Sequence, residues 1–279
     1  SEESELRMNV YTPTYQRLDR QPTAEVLVKA GVNVTLVVRP EEAPKAVETL
    51  QKLCKIGPGG VTMRTLPDTV TNIGQTRQWI METAQEEVVI MMDDDLAFAC
   101  RGKRNDNPLY LSPCTNEDVY DMVELLIAMV DTIDTDGYKI AGISAREGNN
   151  RKEDQFEYCA RMMRAWAIHR KTFFKIGARF DNLPCIEDFD VILHFLVNGY
   201  ENIITNSYTT NQAGSNVSGG CSTYRTLEVQ ADAARALAAK YPKFVKAVTK
   251  TTKGSWGGGE RVDVNIQWKK AFKSSEVKK

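Results

Sequence analysis

The segment Glu86–Asp95 (EEVVIMMDDD) decides the fold. Its apolar run, Val88–Met92, is rich in β-branched residues and bounded by charge, which predicts a strand buried on both faces of a mostly parallel sheet. Ligands bind at the carboxyl ends of such strands, so Asp93, Asp94 and Asp95 are expected at the mouth of a crevice. Adjacent carboxylates repel one another, and a divalent cation relieves that repulsion. The segment therefore predicts a metal site, with a solvated acidic loop as the alternative.

The rest of the chain alternates between strand and helix patterns. Further strands are expected at residues 8–12, 32–39, 61–66, 140–144 and 161–169. Helices are expected at residues 26–31, 44–55, 77–85, 119–133 (with Thr115 as the N-cap), 191–198, 226–240 and 243–250. The polar segment 101–113 is expected to be an exposed loop. This alternation predicts a doubly wound α/β fold, with helices on both faces of a mostly parallel sheet.

The composition is that of a globular protein. The 279 residues are 42% apolar and 26% charged, which excludes disordered and fibrous classes. No apolar run is long enough to cross a bilayer, and no apolar leader is present, so no membrane partner is expected. The six cysteines are scattered, without a CxxC pair or a His partner at zinc spacing. We therefore expect a reduced, cytoplasmic protein.

Charge is unevenly distributed along the chain. From Lys240 to the end there are eleven Lys or Arg residues against three acidic ones, which leaves the first 239 positions near −9. We predict a body at residues 1–239 and a basic extension at residues 240–279. The expected helix 243–250 would carry lysines on one face. An anionic partner such as nucleic acid is one explanation of this charge, and a solvated tail is the other.

Three further polar segments fall where strands end or helices begin. Thr12-Pro13-Thr14-Tyr15-Gln16-Arg17 follows the first strand. Gly74 and Arg77 lie at the start of an expected helix, where backbone N–H groups and a guanidinium can bind an anion. Glu187 and Asp188 lie at the start of another. These two carboxylates either compensate the helix dipole or supply a general base at the crevice rim.

In this order, the four motifs resemble those of a glycosyltransferase with the GT-A (nucleotide-diphospho-sugar transferase) fold. They are Thr12-Pro13-Thr14-Tyr15-x-Arg17, Asn72-x-Gly74-x-x-Arg77, the aspartate triplet and Glu187-Asp188. Within that fold, the triplet and Gly219–Arg225 are similar to the TET/JBP-associated glycosyltransferases of bacteriophages. The resemblance implies sugar transfer to hydroxymethylated pyrimidines, such as hydroxymethylcytosine, in double-stranded DNA. It also implies a location in the host cytoplasm.

The resemblance also assigns roles. It implies that Asp93 contacts the nucleotide and, with Asp95, binds Mn²⁺ or Mg²⁺ at the diphosphate of a donor, of which a UDP-sugar is the expected type. The resemblance implies that the other donor-binding residues are Thr12, Pro13, Arg17, Gly74, Arg77 and Asp94. Asp188 is then the base that deprotonates the acceptor in inverting members, and Glu187 holds the acceptor or donor sugar.

The chain departs from that family at the third metal ligand, which is often a His beyond the Glu-Asp helix. Neither His169 nor His194 is expected there, so water, diphosphate oxygens or residues 211–215 would complete the site. Trp256 or Tyr224 could stack in the gap left by a flipped base. Three alternatives stay open: transfer to a polysaccharide or small glycan, nucleotidyl transfer, and a non-catalytic DNA-binding role.

Overall fold

Strand β4 (Val88–Met92) lies inside a sheet, and all five of its residues are buried, as predicted. Val89 and Met91 pack into one hydrophobic core, while Val88, Ile90 and Met92 pack into another. This period of two is that of a strand covered on both faces. The computed structural model describes residues 8–102, 107, 109–133, 137–145, 152–212, 226–252 and 259–276.

The described residues form strands and helices with the following bounds. The other strands are β1 (Asn9–Pro13), β2 (Asn33–Val38), β3 (Val61–Thr65), β5 (Leu96–Arg101), β6 (Leu111–Pro113), β7 (Ile140–Ala145), β8 (Phe156–Tyr158), β9 (Ala165–His169), β10 (Ile203–Gln212), β11 (Val245–Thr252) and β12 (Gly259–Ile266). The helices are α1 (Pro22–Lys29), α2 (Ala43–Leu53), α3 (Ile73–Thr83), α4 (Asn116–Met129), α5 (Arg170–Lys175), α6 (Glu187–Val197), α7 (Leu227–Lys240) and α8 (Trp268–Glu276).

The main sheet has the strand order β3-β2-β1-β4-β9-β7-β10-β5-β6, with β8 paired to β10. Strands β1, β2, β3, β6, β7 and β10 run in the direction of β4, and β5, β8 and β9 run against it. The predicted α/β class with a mostly parallel sheet is confirmed. The parallel register places Tyr11 opposite Met91, so the turn after β1 lies beside the aspartate triplet.

Helices cover both faces of this sheet, as predicted. Residues of α1, α2 and α4 pack into one core, represented by Leu27, Ala46 and Met122. Residues of α3, α5, α6 and α7 pack into the other, represented by Ile80, Phe173, Phe195 and Leu237. Within the described ranges, no helix combines the length and apolarity that a membrane span requires.

The prediction of an exposed loop over residues 101–113 was wrong at both of its ends. Strand β5 begins directly after Asp95 and ends at Arg101, and β6 covers Leu111–Pro113. Residues 103–106 and 108 lie outside the described ranges. The sequence of β5, Leu-Ala-Phe-Ala-Cys-Arg, alternates as a strand should, but its alanines weaken the β signal.

The start of α1 and the end of α4 differ from expectation. Helix α1 begins at Pro22 rather than Val26, because proline fits the first turn, where its missing N–H costs nothing. Helix α4 ends at Met129, so Ile133, expected on its buried stripe, is 70% exposed. Its predicted cap is confirmed. The Thr115 side chain accepts a hydrogen bond from the Asp118 backbone N–H, and the Asp118 side chain accepts one from the Thr115 backbone N–H.

The predicted helix 243–250 was wrong, because residues 245–252 form β11, paired in an antiparallel hairpin with β12. Lysines at helical spacing are also compatible with a strand, and the Val and Thr residues between them favour one. Lys246 and Lys250 lie on the same face of β11 and are exposed. Lys253 lies outside the described residues.

The segment expected to be a basic extension packs against the body. Helix α8 packs on α6, where the Phe189 and Trp268 rings lie 5.7 Å apart and Ala271 is fully buried. Asp190 of α6, only 2% exposed, accepts from Lys240 Nζ at 2.7 Å and from Tyr241 Oη at 3.3 Å. Burial, together with Asp190, raises the pKa of Tyr241. This carboxylate therefore joins α6 to the end of α7.

Replacing Asp190 tests this junction. We expect Asp190→Asn to lower the free energy of unfolding by about 1.5–3 kcal/mol, because a charged acceptor of buried hydrogen bonds is lost. Urea unfolding followed by circular dichroism measures the change. The matched control is Asp232→Asn on α7, whose ion pair with Arg235 is exposed and should matter by less than about 1 kcal/mol. Equal effects of the two variants would contradict the account.

Candidate active site

The aspartate triplet meets the turn after β1. Thr14 Oγ1 donates to Asp94 Oδ2 at 2.7 Å and in turn accepts from Gln21 Nε2 at 2.8 Å. Arg17 Nη1 lies 3.3 Å from both Asp94 Oδ1 and Asp95 Oδ2. The structure therefore brings Arg17 together with two of the predicted aspartates. Thr14 and Gln21 had no predicted site role, although Thr14 lies within the Thr12–Arg17 motif.

Thr12 and Pro13 end β1 beside the aspartate triplet. The Thr12 side chain is fully buried, and its Oγ1 has no hydrogen-bond partner among the described residues. A buried hydroxyl without a partner costs free energy, and a bound ligand can supply the partner. The predicted nucleotide-binding role of these two residues stays a prediction.

The three aspartates differ in exposure. The side chain of Asp94 is 6% exposed, whereas those of Asp93 and Asp95 are 29% and 17% exposed. Burial raises the pKa of Asp94 to about 6, although the Thr14 hydrogen bond and Arg17 oppose the shift. Asp94 is therefore the most buried of the three aspartates, while its two neighbours expose more carboxylate surface.

Asp93 and Asp95 fit a divalent cation. Burial raises the pKa of Asp95, and the negative charge of Asp93 raises it further, against the opposing effect of Arg17. A cation between the two carboxylates would remove this repulsion, and both supply the hard oxygen ligands that Mn²⁺ and Mg²⁺ prefer. The residues present are thus compatible with the predicted metal.

Arg77 joins the triplet to the second predicted carboxylate pair. Its Nη2 lies 3.0 Å from Asp93 Oδ1, and its Nη1 forms an ion pair with Glu187 Oε1. Arg77 is 6% exposed and Glu187 is 5% exposed, and the guanidinium lies 5.8 Å from the Trp166 ring centroid. Arg77 thus bridges two carboxylates from different elements, and its predicted contact with a donor base or phosphate stays a prediction.

Gly74 allows α3 to approach the segment that leads into α6. A Cβ at this position would lie 2.5 Å from the Phe180 carbonyl oxygen and 3.1 Å from that of Leu183. Only glycine fits such a close approach without movement of backbone. The observed reason for glycine is therefore packing that positions Arg77 opposite Glu187. An anion-binding role at Gly74 stays a prediction.

Glu187 and Asp188 begin α6, four residues before the expected helix start at residue 191, and with Asp190 they form its acidic first turn. Asp188 is half-buried. The preceding residue, Ile186, has a φ of +52°, which is rare and strained for a β-branched side chain. Strain of this kind is concentrated at functional sites. The backbone thus turns sharply where the predicted base is presented.

Sequence reasoning missed Arg164. Its carbonyl oxygen accepts from the Asp93 N–H at 2.8 Å, and its positive charge opposes the rise in the pKa of Asp95 that burial causes. Arg164 has a φ of +72° and is 8% exposed. Nothing in the local sequence marks a left-handed arginine, because the conformation follows from the pairing of β9 with β4.

The histidines lie away from the triplet. His169 pairs with Val88, at the opposite end of β4, and its Nδ1 lies 2.7 Å from Thr172 Oγ1. His194 Nε2 contacts the Ile176 carbonyl oxygen. Of the loop proposed to complete the metal site, Asn211 and Gln212 end β10, and residues 213–215 lie outside the described ranges. Gly219–Arg225, including Tyr224, and Trp256 also lie outside them.

Removing the Arg77 guanidinium tests the bridge. Arg77→Met leaves the buried Glu187 without its ion pair, so we expect a loss of about 3–5 kcal/mol in the free energy of unfolding. Thermal or urea unfolding measures the loss. Arg179→Met is the matched control, because the Arg179 side chain is 49% exposed and its pairs with Asp181 and Glu82 are solvated. The control should lose less than about 1 kcal/mol; a similar loss in both variants would refute the bridge.

Comparison with known proteins identifies the family. A model of the TET-associated glycosyltransferases matches residues 8–220, about three quarters of the chain. S. aureus TarS 1–349, solved in complex with UDP-GlcNAc, is 14% identical with a TM-score of 0.54, over 84% of this chain and 66% of that one. Glucosyl-3-phosphoglycerate synthase from Mycobacterium tuberculosis, solved with Mn²⁺, UDP and phosphoglyceric acid, is 12% identical with a TM-score of 0.46. The match covers 97% of this chain and 90% of the synthase chain.

The chain therefore spans just under two thirds of that TarS chain. No curated protein sequence matches it. The likeness to TarS is one of fold, and together with the family match it confirms the predicted GT-A class. By the extent of that match, the chain belongs to the family of TET-associated glycosyltransferases.

Proposed function

We propose that this protein transfers a sugar from a UDP-sugar to the hydroxyl of a hydroxymethylated pyrimidine in double-stranded DNA. The observation that carries the proposal is the bridge made by Arg77, which joins Asp93 at the end of β4 to Glu187 at the start of α6. One side chain thus connects a predicted donor-binding carboxylate to a predicted acceptor-side carboxylate. Family membership supports sugar transfer, and the family name suggests the DNA acceptor.

On the donor side, Asp93 and Asp95 would hold Mn²⁺ or Mg²⁺. When bound, the cation neutralises the diphosphate that leaves. Arg17 and Arg77 hold the triplet in place through their ion pairs, so its carboxylates are oriented before a donor binds. Thr12 Oγ1, buried and without a partner among the described residues, is available to a donor group at the end of β1.

On the acceptor side, Asp188 acts as the general base. It takes the proton of the acceptor hydroxyl as the oxygen attacks the anomeric carbon, and the bond from that carbon to the diphosphate breaks, with its electron pair leaving on UDP. The first turn of α6 presents Asp188, and the adjacent Glu187 is held by Arg77. General-base catalysis of this kind contributes about 10²–10⁴-fold to the rate.

Exposed lysines in the C-terminal part of the chain support DNA as the acceptor. Lys246 and Lys250 are exposed on one face of β11, and Lys269, Lys270 and Lys273 are exposed on α8. Contacts from these side chains to backbone phosphates would give an affinity that falls as salt rises. A base inside a duplex must also be flipped out to reach the crevice. A glycan acceptor predicts no salt-sensitive binding of DNA.

Incubation of the protein with nucleotide sugars tests the proposal. We expect a nucleoside of added sugar mass when a UDP-sugar, hydroxymethylated duplex DNA and Mn²⁺ are all present, and none when a chelator is added. Digestion and mass spectrometry measure the product. Product on glycan acceptors alone would move the proposal to a glycan acceptor, and no product with any donor would refute sugar transfer.

Asp188→Asn locates the base. We expect turnover to fall by about 10²–10⁴-fold, while UDP affinity stays within about twofold, because the substitution removes the proton acceptor but keeps the side-chain shape. Isothermal titration measures the affinity. Asp232→Asn, at an exposed position of α7, is the matched control and should keep full turnover. Unchanged turnover in Asp188→Asn would exclude this residue as the base.

A further inference from the structure

Three neighbouring strands place polar side chains in a row at one edge of the main sheet. Tyr208 of β10 pairs with Cys100 of β5, and Cys100 pairs with Ser112 of β6. Residues directly opposite one another in paired strands project from the same face, so the phenol, thiol and hydroxyl groups are neighbours. The Ser112 Oγ atom is buried and has no hydrogen-bond partner among the described residues.

A second thiol and a carboxylate complete this cluster. Cys114, two residues beyond Ser112, projects from the same face, and its Sγ lies 3.0 Å from Cys100 Sγ. Asp118 lies in the first turn of α4, which follows β6 directly. The two Sγ atoms and an Asp118 carboxylate oxygen all lie within 4.8 Å of one another. No disulfide joins Cys100 to Cys114.

The surroundings favour a cation at this position. Cys100 is 3% exposed and Asp118 is 6% exposed, so their charged forms are poorly solvated. Several groups that are neutral or negative therefore meet within a weakly hydrated space, where a metal ion would stabilise the ionised forms.

The ligand types identify the metal. Thiolate sulfur combined with a carboxylate oxygen suits Zn²⁺, whereas Mn²⁺ and Mg²⁺ prefer oxygen alone. Zn–S bonds of about 2.3 Å in tetrahedral geometry place two sulfurs roughly 3.8 Å apart, so the thiols need to separate by less than about 1 Å. The Thr115 N–H donates to Asp118 Oδ2 at 2.8 Å and orients the carboxylate, as outer partners of metal ligands do.

We propose that Cys100, Cys114 and Asp118 form a Zn²⁺ site, with Ser112 Oγ or water as the fourth ligand. It lies on β5, β6 and α4, and its sulfur ligands distinguish it from the all-oxygen site at Asp93 and Asp95. β6 is a three-residue strand at the end of the sheet order. A metal ion bound here would cross-link β6 and the start of α4 to β5 and so stabilise the edge of the sheet. The role is structural, so the site is independent of the proposed sugar transfer.

Co²⁺ serves as the spectroscopic probe, because thiolate ligands give it an intense charge-transfer absorption that oxygen ligands do not. The reduced, metal-free full chain is titrated with Co²⁺ and then with Zn²⁺. We expect one equivalent of thiolate-bound Co²⁺, displaced by Zn²⁺, and a melting temperature that rises with Zn²⁺ concentration. Asp95→Asn should keep the absorption, which separates this site from the predicted donor site.

Cys100→Ser and Cys114→Ser should each weaken Co²⁺ binding by on the order of 100-fold or more, since even outer-shell partners are worth 10–100-fold. Cys54→Ser is the matched control, because Cys54 is an exposed free thiol on a different element, at the end of α2, and should change nothing. Circular dichroism verifies that each variant is folded. Cys114 is less buried than Cys100, so Cys114→Ser is expected to disturb the fold less. The proposal would be overturned if the charge-transfer band is absent or if it survives in both serine variants. It would also be overturned if Cys100 and Cys114 form a disulfide and no metal binds after that disulfide is reduced.

Discussion

The ion pairs of Arg77 are the interaction on which the arrangement of the candidate site depends. A single buried guanidinium contacts Asp93 at the carboxyl end of β4 and Glu187 in the first turn of α6. Burying the Glu187 carboxylate without a partner would cost several kcal/mol, and the Asp93 carboxylate would repel it, so their approach requires a cation. Arg77 supplies it in a planar fork that can contact two carboxylates at once. One side chain therefore holds the carboxyl end of β4 and the first turn of α6 at a fixed separation.

The register of the strands and one close approach between backbone segments determine where the arginines and carboxylates of the site lie. Parallel pairing of β1 with β4 puts Arg17 next to Asp94 and Asp95. Antiparallel β9 then brings the Arg164 carbonyl to the Asp93 N–H. Because Gly74 has no side chain, α3 packs directly on the backbone of Phe180 and Leu183, ahead of α6. The positions of the carboxylates follow from the scaffold, and their ionisation follows from the arginines around them.

The sequence predicted those parts of the site that local patterns encode. The unbroken apolar run of β4 identified a strand buried on both faces, and the acidic first turn of α6 was visible as a dipole-compensating cluster. Partners distant in sequence were not visible. Arg77 and Glu187 are 110 positions apart, so their contact follows from packing rather than from any spacing rule. Arg164 was missed for the same reason.

The errors in secondary structure came from weak or ambiguous patterns. Strand β5 contains two alanines, and β11 carries lysines that also fit a helical repeat. In each case pairing with a neighbouring strand decides the outcome: β5 pairs with β10, and β11 pairs with β12. Sheet pairing is a tertiary property, and it overrides local propensity.

The most direct measurement is a double-mutant cycle between Asp93→Asn and Glu187→Gln, read as the free energy of unfolding in the wild-type and Arg77→Met backgrounds. The two carboxylates share Arg77, so the account predicts a coupling of about 0.5–3 kcal/mol that disappears in the Arg77→Met background. The claim that one guanidinium joins the end of β4 to the start of α6 would be contradicted in two cases. In the first, the effects of the two substitutions on the free energy of unfolding add to within about 0.3 kcal/mol when Arg77 is present; in the second, the coupling persists when Arg77 is replaced.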